Sequence, residues 1–243
     1  AGLNKISYSN KLASWADVAV TGDWKCICYG LLKYIMVGTN IISYSSNGIN
    51  WTNVNKSGTW KYICYGFSKY IMVGTDTISY STDGTTWGNI TKPGDWKCIS
   101  YNNNKCVIVG TNIFGYSTNG ITWNTFTKTG AWKAIYYSNN IFVAVGTNII
   151  SYSFDGISWI DISKTGAWKS ITWSVDLNLF IIIGNGIMLK SYDGIIWTSV
   201  TSDNNNWNSI IWSKRLGMFI VVGDNNKLYT SNLCIPSIDN IIN

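Results

Sequence analysis

The sequence predicts an all-β fold: a six-bladed β-propeller of four-stranded antiparallel blades, its ring closed by the N- and C-terminal strands. Three observations point there. Two tryptophan ladders run the length of the 243 residues with one shared period. The first is Trp15, Trp51, Trp87, Trp123, Trp159 and Trp197; the second is Trp24, Trp60, Trp96, Trp132, Trp168 and Trp207. Both advance by 36 residues per step until the last, which is 38 in one and 39 in the other. A fixed period in this range marks a solenoid, an array or a propeller. Secondly, each period carries a wholly apolar run, such as Ile35-Met36-Val37 or Phe180 to Ile183, of the kind found in strands covered on both faces. Thirdly, Gly, aromatic and β-branched residues punctuate the chain every 8 to 12 positions, and no helical periodicity appears.

Within one period the elements follow in order. Strand A is Trp60 to Tyr65, strand B Tyr70 to Val73, strand C Thr77 to Ser81 and strand D Trp87 to Thr91. Strands C and D flank an Asp83-Gly84 turn, and Pro93-Gly94 separates strand D from the next strand A. This predicts one domain over 1–243, with blades at 24–57, 60–93, 96–129, 132–165, 168–202 and 207–232. The chain opens on a C-like strand, Ile6 to Ser9, and a D strand, Trp15 to Val20; it ends on A, B and C strands. Residues 5–20 are therefore expected to complete the last blade, with the two C-like strands competing for one position. The tail after Leu233 lacks the turn glycine and the tryptophan, so it is expected to be a loose strap.

Composition narrows the chemistry. The chain is 46% apolar, 15% aromatic and only 12% charged, with a net charge of +6 that favours anionic partners at long range. Its acids are all Asp, its bases are 17 Lys and Arg215, and His, Glu and Gln are absent. No stretch of 18 apolar residues exists, so no membrane span is expected, and no secretory signal is visible at the amino terminus. Of the six cysteines, Cys26, Cys28, Cys64 and Cys98 fall at two equivalent strand-A positions, where other repeats carry Ala, Ser, Thr, Ile or Tyr. They read as packing thiols. Cys26-x-Cys28 is not a zinc spacing, and no metal or cofactor is expected.

The turn motif Ser81-x-Asp83-Gly84-x-x-Trp87 recurs with Asn47-Gly48, Asn119-Gly120, Asp155-Gly156 and Asp193-Gly194, and without its glycine between Ser9 and Trp15. It resembles the Asp-box, or bacterial neuraminidase repeat, of sialidases and other propellers, one residue shorter than the usual consensus. The phrase Trp212-Ser213-x-x-Leu216-Gly217-x-Phe219-x-x-Val222-Gly223 is similar to propeller repeats of phage tail, viral and secreted microbial surface proteins. The resemblance implies a box on the C–D hairpin and, together with the AT-rich codon signature of Lys, Asn, Ile and Tyr, a virion-surface or extracellular setting. Physically, Asp or Asn accepts backbone N–H bonds in a tight turn and Gly takes the positive φ.

The sialidase chemistry of that family does not transfer. It needs an arginine triad and a Tyr/Glu nucleophile pair, whereas this chain has one Arg and no Glu. General acid–base work would fall to Asp, Lys, Tyr or Cys, and the aspartates mostly occupy repeated turns. A two-Asp glycoside hydrolase remains formally possible, but no unique cluster breaks the repeat symmetry. A non-enzymatic protein is therefore expected.

The candidate binding residues repeat at blade boundaries. They are Trp24, Lys25 and Asn40; Trp60, Lys61 and Asp76; Trp96, Lys97 and Asn112; Trp132, Lys133 and Asn148; Trp168 and Lys169; and Trp207. Lys56, Lys92, Lys128 and Lys164 lie on the connections that lead into strand A. An aromatic face beside amide, hydroxyl and ammonium groups suits a sugar ring, and several weak copies gain by avidity. The leading expectation is multivalent carbohydrate or glycosylated-receptor recognition; the second is a structural or assembly propeller that docks other protein subunits. The same tryptophans also admit a pure packing role between blades, and the lysines a solubilising one or pairing with the Asp of neighbouring loops. Nucleic acid is disfavoured as a partner, because no Arg-rich or recognised binding motif accompanies the lysines.

Overall fold

The computed structural model describes residues 3–8, 16–102, 104–200, 204–224 and 227–230. Among them the chain is all β. The strands are β1 (Leu3–Tyr8), β2 (Ala16–Gly30), β3 (Lys33–Ser45), β4 (Thr52–Gly66), β5 (Lys69–Ser81), β6 (Gly88–Asn102), β7 (Lys105–Ser117) and β8 (Asn124–Ser138). They continue as β9 (Ile141–Ser153), β10 (Ile160–Ser174), β11 (Leu179–Gly184), β12 (Ile187–Ser191), β13 (Thr198–Val200), β14 (Trp207–Ser213), β15 (Met218–Gly223) and β16 (Leu228–Thr230).

The expected closed ring of six four-stranded blades is not what forms. β1 to β13 are hydrogen-bonded neighbours in strict sequence order, one 13-stranded succession, and β14 to β16 make a separate three-stranded sheet. β1 pairs with β2 and β16 with β15, so among the described residues the terminal strands do not close a last blade. The physical reason lies in the strands' length. Where the sequence reads a strand D, a Pro-Gly turn and a strand A, the backbone stays extended through Gly88–Asn102 as one strand of 15 residues. A bulge bends it: β5 pairs Thr77 with Thr91 but Thr75 with Asp95. Each long strand thereby serves two neighbours, as β4 does by pairing its first part with β3 and its second with β5. Separate short strands B and C appear at β11 and β12, paired across Asn185 and Gly186, and again at β15 and β16.

The chain divides into two compact units, 1–128 and 129–243. In unit 1 the apolar strand-B runs form the core as expected: Ile35, Met36, Val37, Ile71, Met72, Val73, Val107, Ile108 and Val109 are fully buried. Trp60, Ile63 and Tyr70 pack on Ile35 and Val37, and Trp96 and Ile99 pack on Ile71 and Val73, so strand A of one repeat covers strand B of the one before. In unit 2, Trp207, Ile210 and Phe219 likewise cover Leu179, Ile181 and Ile183. Trp15, the hairpin copy that ends on it, and the tail after Leu233 lie outside the described residues.

Candidate functional site

All six strand-A tryptophans of the second ladder are core residues. Trp24, Trp60, Trp96, Trp132, Trp168 and Trp207 are at most 3% exposed. In four of them the indole N–H turns back onto the chain four residues earlier: Trp24 donates to the Val20 carbonyl at 2.8 Å, Trp60 to Lys56 at 3.0 Å, Trp96 to Lys92 at 2.9 Å and Trp168 to Lys164 at 3.1 Å, whereas the buried indole nitrogen of Trp207 has no partner among the described residues. A buried indole with its one donor satisfied locally presents neither a ring face nor an N–H to a ligand.

The Asn and Asp of the B–C connection are staples. Asn40, Asp76, Asn112 and Asn148 all adopt left-handed φ values between 56° and 59°. Short polar side chains tolerate that region because they bond locally. Their partner is a corner glycine 18 residues on: the Gly58 N–H donates to Asn40 at 3.0 Å, Gly94 to Asp76 at 2.9 Å and Gly166 to Asn148 at 3.0 Å. Asn4 and Gly22 repeat the bond at 3.0 Å. The glycine itself is required by the tryptophan two residues later. At Gly94, with φ 149°, an added Cβ would lie 2.8 Å from the Trp96 ring. Trp, Asn or Asp, and Gly thus form one structural device that bends each long strand.

The lysines divide differently. In unit 1, Asp95 gathers two of them: Lys61 and Lys97 both ion-pair with its carboxylate, the latter at 2.5 Å, and the Thr111 hydroxyl donates to it at 3.3 Å. Partial burial would raise the Asp95 pKa, but the hydrogen bonds from Lys61 and Lys97 outweigh it and bring it from 3.8 down to about 2. Lys25 pairs with Asp23 at 2.8 Å, whose own pKa is lowered by that bond. In unit 2, the Lys169 ammonium donates to Asn208 at 2.8 Å, and Asn208 donates in turn to Asp224 at 2.6 Å. Lys133 is exposed and makes no ion pair or hydrogen bond among the described residues. The corner lysines reach into a neighbouring repeat: Lys56 donates to Asn89 at 2.7 Å, Lys92 to the Trp123 carbonyl at 2.8 Å and Lys164 to the Trp197 carbonyl at 3.3 Å.

The C–D hairpins behave as the turn chemistry requires. Asp83 accepts from the Thr85 and Thr86 amides at 2.8 and 2.7 Å, and Ser81 accepts from Gly84 at 2.8 Å. Asn47, Asn119, Asp155 and Asp193 accept the matching pair of amides. Those amide bonds hold the Asp83 carboxyl well below its ordinary range. For Asp155, slight burial raises the pKa, but the Ile157 and Ser158 amides pull it down to about 2. These carboxylates are engaged in holding the turns.

Sequence reasoning singled out the lysines by their period and allowed them to pair with aspartates of neighbouring loops; Asp95, which joins Lys61 to Lys97, is such a partner. The available signal was its position immediately before Trp96, where other repeats supply Asp23, Thr59, Ala131 and Ala167.

The strand pattern, the strapped corners and the hairpins define an all-β, propeller-like repeat protein. No protein-family model matches the chain, and no curated protein matches it by sequence. Among solved structures it is similar to YCF48 bound to a D1 peptide, with 14% identity and a TM-score of 0.74 over 94% of this chain and 86% of that one. It is also similar to YCF48 from Cyanidioschyzon merolae, at 16% identity and a TM-score of 0.65 over 88% and 84% of the two chains. The computationally designed Ika8 protein matches over 96% and 81%, at 8% identity and a TM-score of 0.68. Likeness at these identities shows the fold, that of β-propellers, and nothing of the activity.

Proposed function

We propose that the chain is a non-catalytic docking module that binds an extended, acidic segment of another protein. The observation that carries this reading is that a propeller of similar fold, YCF48, holds a peptide. The charge of +6 and two lysines of unit 2, the exposed Lys133 and the half-buried Lys169, whose ammonium is held by the Asn208 amide oxygen, supply the attraction for carboxylates. In unit 1 the aspartates Asp23 and Asp95 already neutralise much of the equivalent charge, so the reading places the contact on unit 2. The hairpins, read as shortened Asp-boxes, then serve only as turns. A sugar has less to hold, because the indoles that would stack on it are buried.

The test is a pair of arrays, one of extended peptides graded from acidic to neutral and one of glycans. The reading expects saturable binding to acidic peptides that weakens when Lys133 and Lys169 are both replaced by Ala. Glycan binding that survives high salt, with no peptide bound, would overturn it.

A further inference from the structure

The residue immediately before a strand-A tryptophan stands between the lysines of two successive repeats, and unit 1 shows what it can do there. Asp95 precedes Trp96, and its carboxylate takes Lys61 from the strand A before it and Lys97 from its own. The Thr111 hydroxyl, beside the Gly110 that pairs with Trp96, donates to the same carboxylate at 3.3 Å. These three donors make a site for one carboxylate, and the chain fills it itself. Partial burial raises the Asp95 carboxyl, but the bonds from Lys61 and Lys97 overcome that and hold it at about 2. The site therefore favours the ionised form.

Unit 2 repeats the same register without the acid. Ala167 holds the place of Asp95, immediately before Trp168, and pairs with Thr147 as Asp95 pairs with Thr75. Lys133 and Lys169 hold the places of Lys61 and Lys97. Gly184 pairs with Trp168 as Gly110 pairs with Trp96, so the exposed Asn185 follows it where Thr111 stands in unit 1. Lys133 makes no ion pair among the described residues, and Lys169 donates to the neutral Asn208 oxygen, which cancels none of its charge. The Asp224 carboxylate is bonded to the Asn208 amide at 2.6 Å and acts on Lys169 only through space. Two ammonium groups thus stand, by register, on either side of a methyl group. Alanine differs from aspartate by the carboxylate alone, so that group is all a ligand has to supply.

We infer that Lys133, Lys169 and Asn185 form a receiving site for a single carboxylate, an Asp or Glu side chain of the docked peptide, which takes beside Ala167 the place that the Asp95 carboxylate takes in unit 1. The residue before the tryptophan then sets specificity: an acid closes the boundary between two repeats, and alanine leaves it to a ligand. The inference rests on the docking reading for the peptide and adds where its acid binds.

The test uses the whole chain and a fluorescein-labelled poly-aspartate peptide, read by anisotropy. Ala167→Asp should weaken binding by about tenfold or more, because the installed acid engages both lysines, whereas Ala167→Asn should stay within about twofold of wild type. Val175→Asp, the same change of charge at an exposed hairpin, should also bind as wild type. Without peptide, carbon-13 NMR of Ala167→Asp should show the installed carboxyl titrating well below the ordinary 3.8, as Asp95 does. An ordinary value there would overturn the site whatever the peptide does. Peptide binding that Ala167→Asp leaves unchanged, or that Val175→Asp weakens equally, would also overturn it and leave the docking reading standing. No peptide bound by wild type, with the installed carboxyl still low, would sink the docking reading and support the carboxylate site.

Discussion

Replacing Trp96 by Phe tests whether the second ladder is structural. The indole is fully buried against Ile71 and Val73, and its N–H donates to the part-buried Lys92 carbonyl at 2.9 Å. Phenylalanine keeps most of the apolar ring but strands that carbonyl, which costs about 1–3 kcal/mol, with the lower half expected at a part-buried site. The smaller ring adds roughly 1 kcal/mol of lost packing. Trp87 in the other ladder is a built-in control: its indole nitrogen is buried with no hydrogen-bond partner among the described residues. Trp87→Phe loses no bond, so its cost is expected to stay below about 1.5 kcal/mol, the usual range for near-isosteric apolar exchanges. Equilibrium urea unfolding followed by far-ultraviolet circular dichroism reads the difference. Equal costs at the two positions, or a neutral Trp96→Phe, would refute the argument that the strand-A indole is held by its own backbone.

Gly94→Ala places a Cβ 2.8 Å from the Trp96 ring at a φ of 149°, and a loss of about 1–3 kcal/mol is expected in the same unfolding assay. The hairpin carboxylates predict acid sensitivity. Asp155, at about 2 in the folded chain against an ordinary 3.8, and Asp83, lower still, stabilise the fold fully above about pH 4 and lose that contribution as the pH falls through 2. Because Asn47 and Asn119 make the same turn bonds uncharged, the double variant Asp83→Asn, Asp155→Asn should unfold at lower pH than wild type in an acid titration. Burial pushes the Cys26 thiol up to about 11, so only about one molecule in a thousand is thiolate at pH 8. Mass-mapped alkylation of the native chain at that pH should leave Cys26 almost unlabelled, and rapid labelling would contradict the packing role.

Much of the local structure was legible in the sequence. The apolar B runs became the core, and Ser-x-Asp-Gly gave hairpins whose hydrogen bonds repeat from copy to copy. Two things were not legible. The first is continuity: Pro93-Gly94 reads as a break, yet a bulge and the Asp76 to Gly94 bond allow the strand to bend and continue, which changes the sheet count and leaves the ends unclosed. The second is the direction of the tryptophans. A repeated Trp beside a repeated Lys has the same sequence signature whether the indole faces a ligand or the core. Only the carbonyl four residues back, invisible as a residue type, decides it.

The docking account is tested most directly by fluorescence anisotropy of a labelled acidic peptide taken from the array, titrated with wild type and with the variant Lys133→Ala, Lys169→Ala at two salt concentrations. The account predicts saturable binding to wild type that weakens with salt, and affinity lowered several-fold in the variant with an unchanged fold. Equal affinity for both proteins, indifferent to salt, would contradict it.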